Sequence, residues 1–163
     1  MEHRDTLLTI AELAVALAGF ATIASVFSQR DIDANGNRDG YRLRVMLEVA
    51  LRNAGFAVLP LPFLSAFPDE PDLWRIGSGV YVVVAMAYGA ARLPKIREVG
   101  PGWVVRYSRF MLAATAIVSL ANVFGLAGPH TFSLYLATLL FGLSVAGVSF
   151  MAVAYSALGL LEE

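Results

Sequence analysis

Arg44, Glu48 and Arg52 recur at every fourth residue. That spacing stacks side chains on one helix face and puts arginine within reach of glutamate. The ladder leads into an apolar stretch, and an ionisable group inside a membrane segment is a functional candidate by default. It could line an inner vestibule or bind anionic lipid headgroups. It could equally neutralise itself while its arginines extend toward the interface, which is the plainer expectation. Glu12 stands alone in another apolar run, about 10 Å along the helix from the run's outer end. A carboxylate there is costly unless it is protonated or paired. Thr115, Ser119 and Asn122 follow i, i+4, i+7 and make one polar stripe. Asn122 falls at a depth similar to that of Glu12. A hydrogen bond between the two, or a polar path lined by both, is therefore expected, with structural helix glue the simpler role.

The segment Asp31-Ile32-Asp33-Ala34-Asn35-Gly36 matches the opening of an EF-hand calcium loop, and Asp39 falls at its ninth position. The resemblance fails at the twelfth position, where Arg42 replaces the bidentate glutamate, and at the eighth, which is Arg38. Losing that carboxylate weakens the ligand field. Asp31, Asp33, Asn35 and Asp39 are thus a weak metal candidate, and a polar turn is the ordinary reading of such residues. No other metal or cofactor is expected. Cysteine is absent, which excludes disulfides and thiolate chemistry. No phosphate loop, zinc motif or nucleophile–base pair occurs, so the chain is expected not to be an enzyme. With a net charge of −1 and no basic patch, nucleic acid is not an expected partner.

These residues must be held by membrane helices. Of 163 residues 58% are apolar and only 15% charged, against about a quarter charged in soluble domains. Mean hydropathy is +0.66. Apolar runs cover residues 6–28, 45–67, 73–91, 104–126 and 131–161, and a span needs about 20 residues. Gly125, Gly128 and Pro129 divide the last two. The sequence therefore predicts an all-α, single-domain bundle over 1–163 with five transmembrane helices. The rival is four full spans with the start of the second run lying in the interface. Pro60 and Pro62 predict a bend in the second run.

Nine cations (Arg30, Arg38, Arg42, Arg44, Arg92, Lys95, Arg97, Arg106 and Arg109) fall in alternate loops, against Arg4 and Arg75 on the other side. The positive-inside rule then puts the N-terminus outside and the C-terminus in the cytoplasm. The first run lacks a basic leader and is read as a retained span.

Small residues form seams at Ala14, Ala18 and Thr22 or Ser25, and at Thr138, Gly142 and Ala146. They predict close helix contacts, within one chain, between copies of it or with another membrane protein. The stretch from Tyr41 to Glu48 leading to Leu59-Pro60-Leu61, with Ala11-Glu12-Leu13 and Ala18-Gly19-Phe20-Ala21, resembles a loose group of small, uncharacterised bacterial multi-spanning membrane proteins. That resemblance implies the bacterial inner membrane and supplies no activity. The expected function is a non-catalytic accessory or assembly subunit of a membrane complex. The alternative is a small homo-oligomeric channel or transport module.

Overall fold

The apolar runs become helices because a backbone in lipid must satisfy its own hydrogen bonds. The computed structural model describes residues 2–28, 34–66, 71–99, 102–126 and 128–157. Six helices follow in order: α1 (Glu2–Ser28), α2 (Ala34–Val58), α3 (Leu61–Ala66), α4 (Pro71–Val99), α5 (Gly102–Val123) and α6 (Thr131–Ala157). There is no strand among the described residues. Five segments are long and apolar enough to cross a membrane: His3–Ala24, Gly40–Leu64, Pro71–Arg92, Gly102–Val123 and Thr131–Tyr155. The fold is an all-α helical bundle suited to a bilayer. The second segment takes in most of α2 and part of α3.

The surface is inverted relative to a protein in water. Phe110, Ile117, Phe124 and Leu126 are exposed, while Asn53, Ser78, Ser119, Asn122 and Thr138 are fully buried. On α5 the buried positions are Val104, Val105 and the polar stripe Thr115, Ser119 and Asn122. Large contiguous apolar surfaces are stable only against an apolar surrounding.

α1 packs along α2, α6 lies between α2 and α5, and α4 packs on α5. Ala14, Ala18 and Ala146 are buried within this one chain, in apolar clusters shared with α2 and α6. Ala14 and Ala18 of the first seam, and Thr138, Gly142 and Ala146 of the second, are thus taken up by internal contacts, while Thr22 is exposed. At the end of the bundle where α4 begins, Trp74 packs edge-on against Phe132 at 4.8 Å and lies 5.6 Å from Tyr135.

The proline bend is resolved by another helix. Proline has no N–H, so at position 60 it leaves the Phe56 carbonyl without its usual partner four residues on. Residues 59–60 turn, and α3 restarts with Phe63 and Leu64 donating to the Pro60 carbonyl, each at 3.0 Å. The hydroxyl of Tyr135 on α6 donates to the orphaned Phe56 carbonyl.

α5 ends as the glycines predict. Gly125 takes φ +70°, Leu126 N donates to Ala121 O at 2.9 Å and Gly125 N to Asn122 O at 3.0 Å. This is a Schellman cap, which needs a residue free to adopt the left-handed region.

The calcium-like segment is different from its expectation. Residues 34–42 are helical, so Asn35 and Asp39 lie on α2, and Asp31 and Asp33 fall outside the described residues. An EF-hand loop must coil around its ion from the first position to the twelfth. Over the described residues 34–42 the backbone is helical and is not the coiled loop of an EF-hand.

Candidate functional site

α2 and α4 face one another across a seam bridged by long polar side chains. Tyr81, Ala85, Tyr88 and Arg92 fall at i, i+4, i+7 and i+11 on α4, one helical face. The facing side of α2 presents Tyr41, Val45, Glu48, Arg52 and Asn53. Glu48 is the hub. Its carboxylate accepts from Arg44 Nε at 2.9 Å, Arg92 Nη2 at 2.7 Å and the Tyr88 hydroxyl at 2.8 Å. Nearer the helix ends, the Tyr41 ring lies 6.0 Å from Lys95 Nζ. Deeper in, the Tyr81 hydroxyl donates to Asn53 Oδ1 at 2.9 Å, and Asn53 Nδ2 donates to Val49 O at 2.8 Å.

The arginine ladder therefore divides. Arg44 pairs with Glu48 as its spacing predicts. Arg52, also four residues from Glu48, does not, because the carboxylate is drawn to Arg92 on α4. Arg52 lies 5.0 Å from the Tyr88 ring centre and 5.7 Å from that of Tyr81. It has no carboxylate partner among the described residues. Its Nε is buried without a hydrogen bond. Arg52 lies eight residues beyond Arg44, about 12 Å farther along α2 from the arginine-rich end.

A cavity of about 80 Å³ opens beside it, between α2, α4, α5 and α6. Arg42, Arg52 and Arg92 all line it, as do Tyr41, Tyr81, Tyr88 and Thr115. It runs from the arginine-rich end of the bundle into its interior. There Gly142 on α6 closes directly on the Tyr81 hydroxyl and the Asn53 amide, both on fully buried side chains. The tyrosine rings give the guanidinium of Arg52 an attractive face without neutralising it. The site is an unneutralised cation in a membrane-embedded pocket, and its fitting counterpart is an anion.

The other expected residues are placed as follows. Thr115 lines the cavity. Ser119 and Asn122 continue the stripe beyond it, fully buried. The Asn122 amide donates to Ser78 Oγ at 2.7 Å and Thr131 O at 2.9 Å, with Trp74 O sharing a hydrogen at 3.3 Å, tying α5 to α4 and to the start of α6. Asn122 Oδ1 and Ser119 Oγ are buried without hydrogen bonds. The expected bond from Glu12 to Asn122 is not formed. Glu12 is exposed, on α1, which packs chiefly on α2. Since its exposed side chain makes no hydrogen bond or ion pair among the described residues, Glu12→Gln is expected to change stability by less than about 0.5 kcal/mol, read as thermal unfolding in nanodiscs. A larger loss would mean that Glu12 has a partner.

Sequence reasoning missed Tyr81, Tyr88 and Arg92. Arg92 reads as a loop cation, although its spacing with 81, 85 and 88 marks a shared face. The hub predicts that Glu48→Gln lowers stability by about 1 kcal/mol, a modest value because a quarter of the side chain is exposed. In a double-mutant cycle Arg92→Gln should add little to that loss; additive losses would mean the pair does not hold the seam.

No family model matches the chain, and no curated protein or solved structure matches it either.

Proposed function

We propose that this chain is a non-catalytic, multi-pass membrane protein that binds an anion in a pocket within its own helix bundle, as a small transport or ligand-binding module. Arg52 carries the reading. A guanidinium within a membrane-length segment, facing a cavity and lacking a carboxylate, is an expensive arrangement. A bound anion offsets that cost. Arg42 and Arg92 along the same wall add to the positive field that draws an anion inward. The positive-inside bias supports an orientation with this mouth in the cytoplasm and the N-terminus outside. The resemblance to bacterial multi-spanning proteins supports the inner membrane as the location.

The pathway differs from a homo-oligomeric pore, because the polar lining lies inside one chain. The floor of Gly142, Tyr81 and Asn53 favours a second reading. A chain that holds an anion without passing it would serve as a ligand-responsive accessory subunit of a membrane complex.

The test is anion-dependent thermal stabilisation of the full chain in nanodiscs, over a panel of inorganic and organic anions. At least one should stabilise the wild type, and Arg52→Gln should weaken its binding at least tenfold, the effect of losing a charge-assisted hydrogen bond. If every anion acts equally on both proteins, the reading fails. Flux of the active anion in proteoliposomes then separates transport from the accessory role.

A further inference from the structure

The pocket's charge, room and walls together narrow the ligand. The question rests on the anion-binding reading. Beside Tyr81 and Gly142 the available charge is a single one. Arg42 lies ten residues nearer the arginine-rich end, about 15 Å of helix, and Arg92 is engaged by Glu48. A monoanion is neutralised there, whereas a dianion would carry a net negative charge into the bundle interior. The cavity of about 80 Å³ holds about six waters, at roughly 10–15 Å³ each. A whole lipid is too large, and a small molecule fits. Most of the wall is apolar, with Val45, Val49, Ala85, Leu112 and Val145, broken by the arginines, the tyrosines and the hydroxyls of Ser108, Thr115 and Ser149. That of Ser149 is spent on the Val145 carbonyl at 2.8 Å. A bare inorganic anion would keep polar demands on the sides that face the apolar wall.

We infer that the cavity binds a small organic monocarboxylate with an apolar body, its carboxylate on the Arg52 guanidinium and its body along the Val45–Val49 and Ala85 walls. The planar guanidinium fork matches a carboxylate in two parallel hydrogen bonds. The rings of Tyr81 and Tyr88 flank the guanidinium at 5.7 and 5.0 Å, and Glu48 in turn holds Tyr88 through its hydroxyl. Tyr88 is thus a positioning residue.

The experiment uses the full chain in nanodiscs. Binding is measured with butanoate, its neutral analogue butanamide, nitrate and phosphate, on the wild type, Arg52→Lys and Arg52→Gln. Butanoate should bind the wild type, butanamide should not, and the butanoate Kd should rise at least tenfold in Arg52→Gln. Arg52→Lys keeps the charge but loses the fork, so it should fall between the two. Its folding also guards against a variant that simply fails to assemble. Nitrate or phosphate binding in an Arg52-dependent way while butanoate does not would overturn the monocarboxylate and leave the anion site standing. Butanoate acting equally on the wild type and Arg52→Gln, or no Arg52-dependent response to any of the four, would overturn both.

Discussion

Gly142→Ala is expected to destabilise the chain by about 2–4 kcal/mol, although it replaces glycine by a better helix former. In an exposed helix the change would gain about 1 kcal/mol. Here a Cβ at position 142 overlaps the Tyr81 hydroxyl and lies 2.5 Å from Asn53 Oδ1 and 2.6 Å from Asn53 Nδ2. Neither neighbour can retreat cheaply. Tyr81 and Asn53 are fully buried, the hydroxyl is bonded to the amide, and the amide is bonded to the Val49 carbonyl. Overpacking a filled core costs roughly 1–3 kcal/mol, and breaking a buried hydrogen bond leaves groups unsatisfied at about 1–3 kcal/mol. These terms outweigh the helix gain. Thermal unfolding in nanodiscs reads the loss. Tyr81→Phe in the Gly142→Ala background removes the overlapping oxygen and should recover part of it. Wild-type stability for Gly142→Ala alone would show that α6 does not approach α2 and α4 this closely.

Tyr135→Phe should cost about 1–2 kcal/mol, and its effect should depend on what stands at position 60. The tyrosine hydroxyl supplies the donor that Pro60 lacks, and Tyr135 is itself fully buried. Its removal leaves the Phe56 carbonyl unpaired in a low-dielectric interior, tempered by the modest net worth of hydrogen bonds between membrane helices. Pro60→Ala restores an N–H four residues after Phe56. In the wild type that donor is redundant, while in the Tyr135→Phe background it should recover most of the loss. A double-mutant cycle by unfolding in mixed micelles measures this coupling. Simple additivity would separate the two residues and remove the account of how the bend is held.

Much of the fold was legible because the bilayer imposes a length and a polarity on each span. The five apolar runs, the division at Gly125 and Gly128 and the bend at Pro60 each follow from a local rule. That Thr115, Ser119 and Asn122 share the buried face of α5 was legible in the same way, from helical spacing. The site was less so. Glu12 and Asn122 were paired on matched depth alone, and depth along a helix does not say which way the helix is rotated or which helix is its neighbour. The calcium-like loop was read from side-chain types, whereas residues 34–42 belong to a helix. Arg52 was expected in a ladder with Glu48, but a carboxylate reached by Arg92 and Tyr88 from another helix serves those partners.

The sequence by itself determined the membrane-helical class, the spans and the polar residues that lipid would punish, because each is set by local composition against one uniform solvent. Only the tertiary structure decided which of them meet. It put most of the small-residue seams inside the chain, handed Glu48 to α4 and left Arg52 facing a cavity. Those outcomes depend on the rotation and neighbours of packed helices, and they arise from contacts such as Arg52 with Tyr81 and Glu48 with Arg92, 29 and 44 residues apart in the chain.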